Sequence, residues 1–259
     1  MASDSDHMRP VVIDPEFPWK LPQASYSPNW WSYKNSISEW KDLLVRAKRG
    51  DPAAEWEVAD RFSDGCRDEH GKVVVRRSPS KAAEWFRRSA EHGNTDAYLN
   101  LGNILGDGDG VEKNVPEALL WLRRAFRAGN TGTAANNIAI TYRENGNFKL
   151  AVRWFRRCVA SGDDGALIDL GIHYYWGKGV RKNSKSAVRC FRKATKGKNI
   201  SEAERDNAFF YLGVAYLEGK GVKRSIPTAW KSFVRANADD DHPAALNMLQ
   251  QLGQHKNTA

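Results

Sequence analysis

Few residues of this sequence have the types and spacing that could carry chemistry. Its six histidines are scattered, without a His-x-x-x-His or His-Glu pair of the kind that metal centres use. The run Asp107-Gly-Asp109-Gly-Val-Glu112 superficially resembles a calcium loop, but it lacks the glutamate that closes a twelve-residue loop. No phosphate loop, serine elbow or catalytic Cys/His arrangement is present. The sequence therefore predicts no catalytic residue, no cofactor, no metal and a protein that is not an enzyme.

The three cysteines give a hint about the compartment. Cys66, Cys158 and Cys190 cannot all pair within one chain, and none belongs to a Cys-x-x-Cys arrangement. A reduced, cytoplasmic protein is favoured. A Cys158–Cys190 disulfide in an oxidising compartment is the alternative, and a periplasmic location is open if a leader has been removed from the N-terminus.

Four pairs of basic residues recur and raise a second possibility, recognition of anions: Arg87-Arg88, Arg123-Arg124, Arg156-Arg157 and Arg192-Lys193. We call the following set the arginine ridge: Arg87, Arg123, Arg124, Arg156, Arg157 and Arg192. One interpretation is a solvated outer face whose aliphatic stems cover apolar neighbours. The other is a functional ridge that meets an acidic protein or phosphates. Nucleic-acid binding is not expected, because no groove element or stacking platform accompanies the ridge.

These basic pairs are set within an internal repeat. An Ala-x-x-x-aromatic/Leu signature recurs every 33–42 residues, as Ala82–Phe86, Ala118–Leu122, Ala151–Phe155, Ala187–Phe191 and Ala229–Phe233. Out of phase with it, an alanine is followed five residues later by a small residue, in Ala54–Ala59, Ala97–Gly102, Ala134–Ala139, Ala166–Gly171 and Ala208–Gly213. Both patterns keep one helical face apolar. Each repeat is predicted to be two antiparallel helices, A and then B, joined by a turn.

The turns between helices A and B are distinctive. Three repeats carry Gly-x-Gly-Val, at Gly108–Val111, Gly177–Val180 and Gly219–Val222, where glycine takes a positive φ at low cost. With the alanine patterns, these turns resemble the Sel-one-like repeat (SLR), a relative of the tetratricopeptide repeat, over about residues 51–253. The third repeat has Asn145-Gly146 instead, and the first has an insertion from Asp64 to Ser80. The resemblance implies an adaptor or scaffold, or a bacterial immunity protein that neutralises a secreted toxin.

The predicted fold is all-α, a right-handed α/α superhelix of about five such hairpins with capping helices. Residues 1–8 resemble an expression scar, and 9–35 form an arm rich in proline and aromatic residues. A capping helix at 36–50 precedes repeats near 51–94, 95–130, 131–163, 164–207 and 208–242. A second capping helix at 243–253 and a tail at 254–259 complete the chain. Only Val73–Val75 favours a strand, and the sequence shows no partner for it.

Composition and size agree with a binding protein. Hydrophobic residues make up 41% and charged residues 27% of the 259 residues, with a net charge of +9. No apolar run approaches the roughly 18 residues that a bilayer span needs. We expect a monomer whose partner is another protein, as a peptide segment or as a folded toxin.

If helix A lines the concave side, its outward positions are the best candidates for a binding groove. The residues so selected are Asn103, Asn136, Arg143, Ile168, Ile172, Tyr175, Trp176, Phe210, Val214 and Leu217. The early repeats give a mixed polar groove and the last two an apolar one, and exposed apolar surface often marks a partner site. The alternative is that these side chains pack on neighbouring helices. An adaptor would hold extended peptides in the groove. An immunity protein would grip one folded toxin through the arm, the Asp64–Ser80 insertion or a second insertion at Lys196–Asn207.

Overall fold

The computed structural model describes Lys20 and residues 37–254. The predictions for residues 1–8, the arm at 9–35 apart from Lys20, and residues 255–259 of the tail lie outside the described residues. The described chain forms two compact units that divide between Asn145 and Gly146. We call residues 37–145 the first unit and residues 146–254 the second unit.

The first unit consists of helical hairpins and one small β-hairpin. Its elements are α1 (Ile37–Lys48), α2 (Pro52–Asp64), β1 (Cys66–Arg67), β2 (Val73–Val75), α3 (Pro79–Glu91), α4 (Thr95–Asp107), α5 (Val115–Arg127) and α6 (Thr131–Glu144). Consecutive helices pack on one another throughout this unit. In the terms of the repeat, α2, α4 and α6 are A helices, and α3 and α5 are B helices.

The second unit continues the same alternation. Its helices are α7 (Phe148–Ala160), α8 (Ala166–Trp176), α9 (Ser184–Ala194), α10 (Glu202–Glu218), α11 (Ile226–Ala236) and α12 (Pro243–Gln254). Here α8 and α10 are A helices, α7, α9 and α11 are B helices, and α12 packs on α11. The all-α class and the packing of consecutive hairpins are therefore confirmed. None of the described helices is both long enough and apolar enough to cross a bilayer.

The B helices begin at a recurrent polar cap. The side chains of Asn114, Asn147, Asn183 and Ser225 each accept a hydrogen bond from a backbone N–H in the first turn of α5, α7, α9 and α11. Such caps satisfy amide groups that the helix itself leaves without a partner. Each cap lies four residues before the alanine of the B-helix signature, so capping belongs to the repeat.

The Gly-x-Gly-Val turns adopt the conformation that the sequence predicts. The glycine that ends each A helix is left-handed, with φ of 77° at Gly108, 75° at Gly177 and 70° at Gly219. The second glycine of each turn also has positive φ and lies against the start of the preceding B helix. A side chain there would overlap backbone atoms, so only glycine fits.

A cross-hairpin hydrogen bond closes these turns. The cap N–H donates to an A-helix carbonyl, with N···O distances of 2.8 Å from Asn114 to Leu105, 2.8 Å from Asn183 to Tyr174 and 3.0 Å from Ser225 to Tyr216. The first hairpin keeps the same bond, from the Ser78 N–H to the Phe62 carbonyl at 2.7 Å. Its insertion therefore extends from a closure that this hairpin shares with the three Gly-x-Gly-Val hairpins.

The insertion of the first repeat forms a β-hairpin, which corrects the expectation that Val73–Val75 lacks a partner. Val75 pairs with Cys66, and Val73 pairs with Arg67, in an antiparallel ladder. The Asp68 N–H donates to the Lys72 carbonyl at 2.9 Å and closes the turn. The second predicted insertion, 196–207, divides into a loop and the start of α10, which Ser201 opens with a capping box.

The small residues of the A helices lie where the two helices of a hairpin cross closely, as the sequence predicts. A Cβ atom placed on Gly102 would come within 2.6 Å of the Leu122 side chain, and one on Gly213 would come within 2.5 Å of the Phe233 ring. A Cβ atom on Gly171 would overlap the Phe191 ring. Glycine is therefore the residue that permits this packing.

Candidate protein-binding surfaces

The inner face of the first unit is polar and accessible. We use inner face for the side on which the A helices of one unit meet, α4 with α6 in the first unit and α8 with α10 in the second. Asn103 is exposed on α4, and its side-chain oxygen accepts a hydrogen bond of 2.9 Å from the Asn137 amide on α6. Asn136 on α6 is half-buried. This face presents amide groups to solvent.

Arg143, the third residue predicted in the polar groove, is not a solvent-exposed cation. It lies near the end of α6, and its guanidinium is 3.2 Å from the carboxylate of the adjacent Glu144. Only 12% of its side chain is exposed. The structure therefore places Arg143 in a local ion pair at the edge of the inner face.

The inner face of the second unit is a packed core. Ile168, Ile172, Tyr175, Phe210 and Val214 are buried, and Trp176 and Leu217 are partly buried against the same cluster. This burial favours the alternative that these side chains pack on neighbouring helices. Trp176 and Leu217 are the two of the seven that keep appreciable contact with solvent. A partner-binding role for the set stays a prediction, and the geometry does not favour it for the five buried members.

Two contacts show how tightly this core is held. The Tyr175 hydroxyl on α8 donates to the Glu218 carboxylate on α10 at 2.6 Å. Burial and this hydrogen bond raise the pKa of Tyr175. Phe210 is fully buried and stacks on His242, with ring centroids 5.1 Å apart. These side chains join one repeat to the next.

The first member of each basic pair contacts a neighbouring repeat. Arg123, Arg156 and Arg192 donate to the hydroxyls of tyrosines on the next A helix, Tyr142, Tyr174 and Tyr216. Arg87 pairs with Glu117 on α5, and the bonded guanidinium lowers the pKa of that carboxyl. The arginine ridge therefore bonds successive repeats, with the guanidinium groups still at the surface.

In three of the four basic pairs, the second member stacks on a tryptophan. The guanidinium carbon lies over the indole three residues earlier, at 4.4 Å for Arg88 on Trp85, 4.4 Å for Arg124 on Trp121 and 4.3 Å for Arg157 on Trp154. Cation–π contacts of this kind are worth roughly 0.5–1 kcal/mol at exposed sites. The ridge thus has a structural role, and its use by a partner stays a prediction.

A buried carboxylate lies where α2 meets α3. The Glu55 side chain is 0% exposed, with Arg88 at 3.1 Å and the His92 ring at 2.7 Å from its oxygens. Ser89 and Asn94 donate to the Pro52 carbonyl at the same junction, at 2.7 and 3.2 Å. These polar groups satisfy one another, which is the arrangement of a structural network.

The cysteines are all free thiols in the described chain. Burial raises the pKa of Cys158 to about 12, with a further increase from Asp163 and Asp169. Burial also raises the pKa of Cys66 and Cys190. A raised pKa leaves little thiolate, so these groups are poor nucleophiles. Residues 37–254 contain no group of three or more His, Cys, Asp or Glu side chains placed to hold a metal ion.

Stacked pairs of antiparallel helices with glycine turns define a helical-repeat protein of the interaction-scaffold class. The model of the Sel1 repeat family matches residues 53–94, 95–130, 134–163, 165–199 and 208–231, so the chain belongs to the Sel1 repeat family. Proteins with these repeats generally mediate protein–protein interactions, and the fold is typically a non-catalytic scaffold.

Solved structures agree with this assignment. A protective antigen of uropathogenic Escherichia coli with an SLR fold is 27% identical, with a TM-score of 0.67, over 86% of this chain. The match covers 46% of that protein, so this chain spans less than half of its length. A Sel1 repeat protein from Oxalobacter formigenes is 24% identical, with a TM-score of 0.62, over 82% of this chain and 80% of that one.

Proposed function

We propose that this chain is a non-catalytic protein-binding module whose first-unit inner face holds an extended segment of a partner protein. The observation that carries the proposal is the pair of amides, Asn103 and Asn137, on adjacent A helices. Family membership supports a protein partner, and the surface amides supply groups that would bind it.

The chemistry of this pair suits a peptide backbone. Their mutual bond uses the Asn103 oxygen and one N–H of Asn137, which leaves the Asn103 amide nitrogen and the Asn137 amide oxygen for a ligand. An extended segment offers N–H and C=O groups in alternation, so it can donate to one amide and accept from the other. Leu99 and Ile140, both half-buried, add apolar surface beside the pair.

The second unit offers less at the equivalent place. Its inner-face residues are mostly buried, and Tyr175 and Glu218 satisfy each other there. A partner segment would have to displace this packing, whereas the first unit needs no rearrangement. The first unit is therefore the better site for reversible binding.

The test uses the full chain and peptides selected from a random displayed library. Binding of the selected peptides is measured by calorimetry for the wild type and for the Asn103→Ala/Asn137→Ala double variant. We expect the double variant to bind at least about tenfold more weakly, since an interface hydrogen bond contributes roughly 0.5–1.5 kcal/mol. Asn247→Ala/Gln251→Ala is a matched control, because it removes another surface amide pair, bonded at 3.0 Å on α12.

The outcomes separate an adaptor from an immunity protein. Loss of peptide binding in the inner-face variant, but not in the α12 variant, supports the proposal. Equal binding by both variants contradicts it. An immunity protein would instead select no peptide and would bind one folded toxin tightly, with an affinity that the inner-face variant retains.

A further inference from the structure

Charge is distributed very unequally between the two units. Residues 37–145 contain 17 Lys and Arg against 17 Asp and Glu, whereas residues 146–254 contain 19 against 10. The second unit therefore carries the whole formal net charge of +9. An excess of this size on half of a protein creates a positive potential that attracts anions.

Much of this excess lies along one edge of the second unit, where the A-to-B turns meet the starts of the B helices. We call it the basic edge, and its cations are Lys149, Lys178, Arg181, Lys182, Lys185, Lys220, Lys223 and Arg224. Two glycine contacts join them into one surface. Gly179 lies against the backbone of Phe148 and Lys149, and Gly221 lies against that of Ser184 and Lys185.

Most of these cations have no anionic neighbour. Lys220 pairs with Glu218 at 2.7 Å, and Arg224 donates to the Leu217 carbonyl at 3.1 Å. Five others are exposed and make no ion pair within the described residues: Lys149, Arg181, Lys182, Lys185 and Lys223. The starts of α7, α9 and α11 lie on the same edge, and their dipoles add positive potential to it.

The fold itself does not require these charges. The first unit builds the same turn with Asp109 between its glycines, and Asp107 and Glu112 flank it. There, Arg77 pairs with Asp109 at 2.7 Å. Since one turn geometry accepts either sign of charge, the lysines of the second unit are free to serve a partner.

We propose that the basic edge of the second unit docks an acidic segment of a partner protein, rich in Asp and Glu. This surface is distinct from the amide pair of the first unit. Six of the eight cations are lysines, which act as mobile point charges and suit irregularly spaced carboxylates. The aromatic rings at this edge lie under lysines, Phe148 under Lys178 at 5.4 Å and Tyr175 under Lys220 at 5.7 Å. They form no open platform on which nucleic-acid bases could stack.

The test is fluorescence anisotropy with the full chain and a labelled twelve-residue peptide of Glu and Asp. An all-Gln/Asn peptide of the same length and a single-stranded DNA dodecamer are the comparison probes. We expect the acidic peptide to bind and the amide peptide not to bind. Raising NaCl from 50 to 300 mM is expected to weaken binding of the acidic peptide by about tenfold, because salt screens exposed charges.

Two charge-reversal variants locate the surface. Arg181→Glu/Lys182→Glu/Lys223→Glu is expected to weaken acidic-peptide binding at least about tenfold with an unchanged melting transition, since these side chains are exposed. Lys193→Glu/Lys196→Glu/Lys198→Glu makes the same change in net charge at the other end of α9. It is expected to reduce binding less than about threefold.

Three results would overturn the proposal: no binding of the acidic peptide, equal losses in the two charge-reversal variants, or tighter binding of the DNA. The last result would identify the edge as a nucleic-acid surface. The Asn103→Ala/Asn137→Ala variant is expected to keep full affinity for the acidic peptide. Failure of the basic edge is thus distinguishable from failure of the first-unit site.

Discussion

The two units build one kind of hairpin from different chemistry. In the first unit, arginines neutralise carboxylates: Arg87 lowers the pKa of Glu117, and Arg46 lowers that of Asp51. In the second unit, Asp206 has a pKa raised to about 6 by burial and by Asp241, Asp239 and Glu202. The difference shows that the repeat fixes small residues, caps and glycine turns, while its charges are free to vary.

The packing of the hairpins differs in the same way. Gly102 in the first unit faces the branched aliphatic side chain of Leu122, whereas Gly171 and Gly213 in the second unit face rigid phenyl rings. The inner face is polar and partly open in the first unit, and apolar and closed in the second. We therefore expect the second unit to tolerate change less well.

The largest effect is expected from filling the glycine contacts. Gly171→Ala places a methyl group into the Phe191 ring and is expected to lower the free energy of unfolding by about 1–3 kcal/mol. Gly102→Ala is expected to cost less, about 1 kcal/mol or below, because an aliphatic side chain yields to a new methyl group more easily than a phenyl ring does. Alanine favours the helix by about 1 kcal/mol in both variants. Urea unfolding of both variants measures the difference. Equal costs would contradict the contrast in rigidity.

The buried carboxylate of the first unit should give the next largest effect. Arg88→Ala leaves Glu55 with one partner, His92, and is expected to lower the free energy of unfolding by about 1–2 kcal/mol. Lys193 holds the matching position on α9 and is exposed. Lys193→Ala is therefore the control, expected to change stability by less than about 0.5 kcal/mol. If thermal melting gives equal shifts, the Glu55 network is not stabilising.

The arginine–tyrosine contact occurs in both units, so it permits a direct comparison. Tyr142 is 8% exposed, and Tyr216 is more exposed. Removing the hydroxyl by Tyr142→Phe is expected to cost about 0.5–1.5 kcal/mol. Tyr216→Phe is expected to cost less, because water replaces the lost partner of Arg192. Chemical denaturation of the two variants tests this order, and a larger cost at Tyr216 would reverse it.

The smallest effect concerns pH. Asp206 has a folded pKa of about 6, above its usual value near 3.8. Its ionisation therefore opposes folding: the contribution of Asp206 to stability is fully present below the unfolded pKa and is lost as pH rises through the folded pKa. Asp206→Asn is expected to flatten this fall in stability between pH 4 and 7. The change is expected to be less than about 1 kcal/mol, because solvent screens a carboxyl that is only partly buried.

Glu117 in the first unit should show the opposite sign. Its lowered pKa means that the Arg87 contact stabilises the fold above the unfolded pKa and is lost as pH falls through the folded pKa. Glu117→Gln is therefore expected to lower the melting temperature at pH 7 but not at pH 3. Melting curves of both variants across pH check the comparison, which fails if the two shifts have the same sign.

Much of the fold could be predicted from the sequence, because its determinants are local. The spacing of Ala, Gly and aromatic residues marks both helices of a hairpin, and a glycine pair specifies the turn. The pairing of Val73–Val75 with Cys66–Arg67 could not be predicted, because a two-residue strand is too short to show an alternating pattern of apolar and polar residues in the sequence. It arises because the flanking hairpin closure brings the ends of the insertion together.

The site was harder to predict than the fold. The sequence identifies which A-helix positions turn inward, but not how closely the next repeat packs, so it could not tell that Phe210 is buried while Asn103 is exposed. The sequence did contain a signal for the tyrosine partners of the ridge. Tyr142, Tyr174 and Tyr216 occupy equivalent positions in successive repeats. Interpreting that signal requires the rotation between repeats, which depends on side-chain volumes across an interface.

The glycine turns also give the array a direction. The second glycine of each turn rests on residues that precede it in the chain: Gly110 on Pro79, Gly179 on Phe148 and Gly221 on Ser184. When a repeat emerges from the ribosome, the helix start that its turn packs against has therefore already been synthesised. This order suits folding from the N-terminus onward. The two ends are accordingly unequal. Truncation from the C-terminus leaves every remaining turn with its support, whereas truncation from the N-terminus removes the support of the first turn that survives.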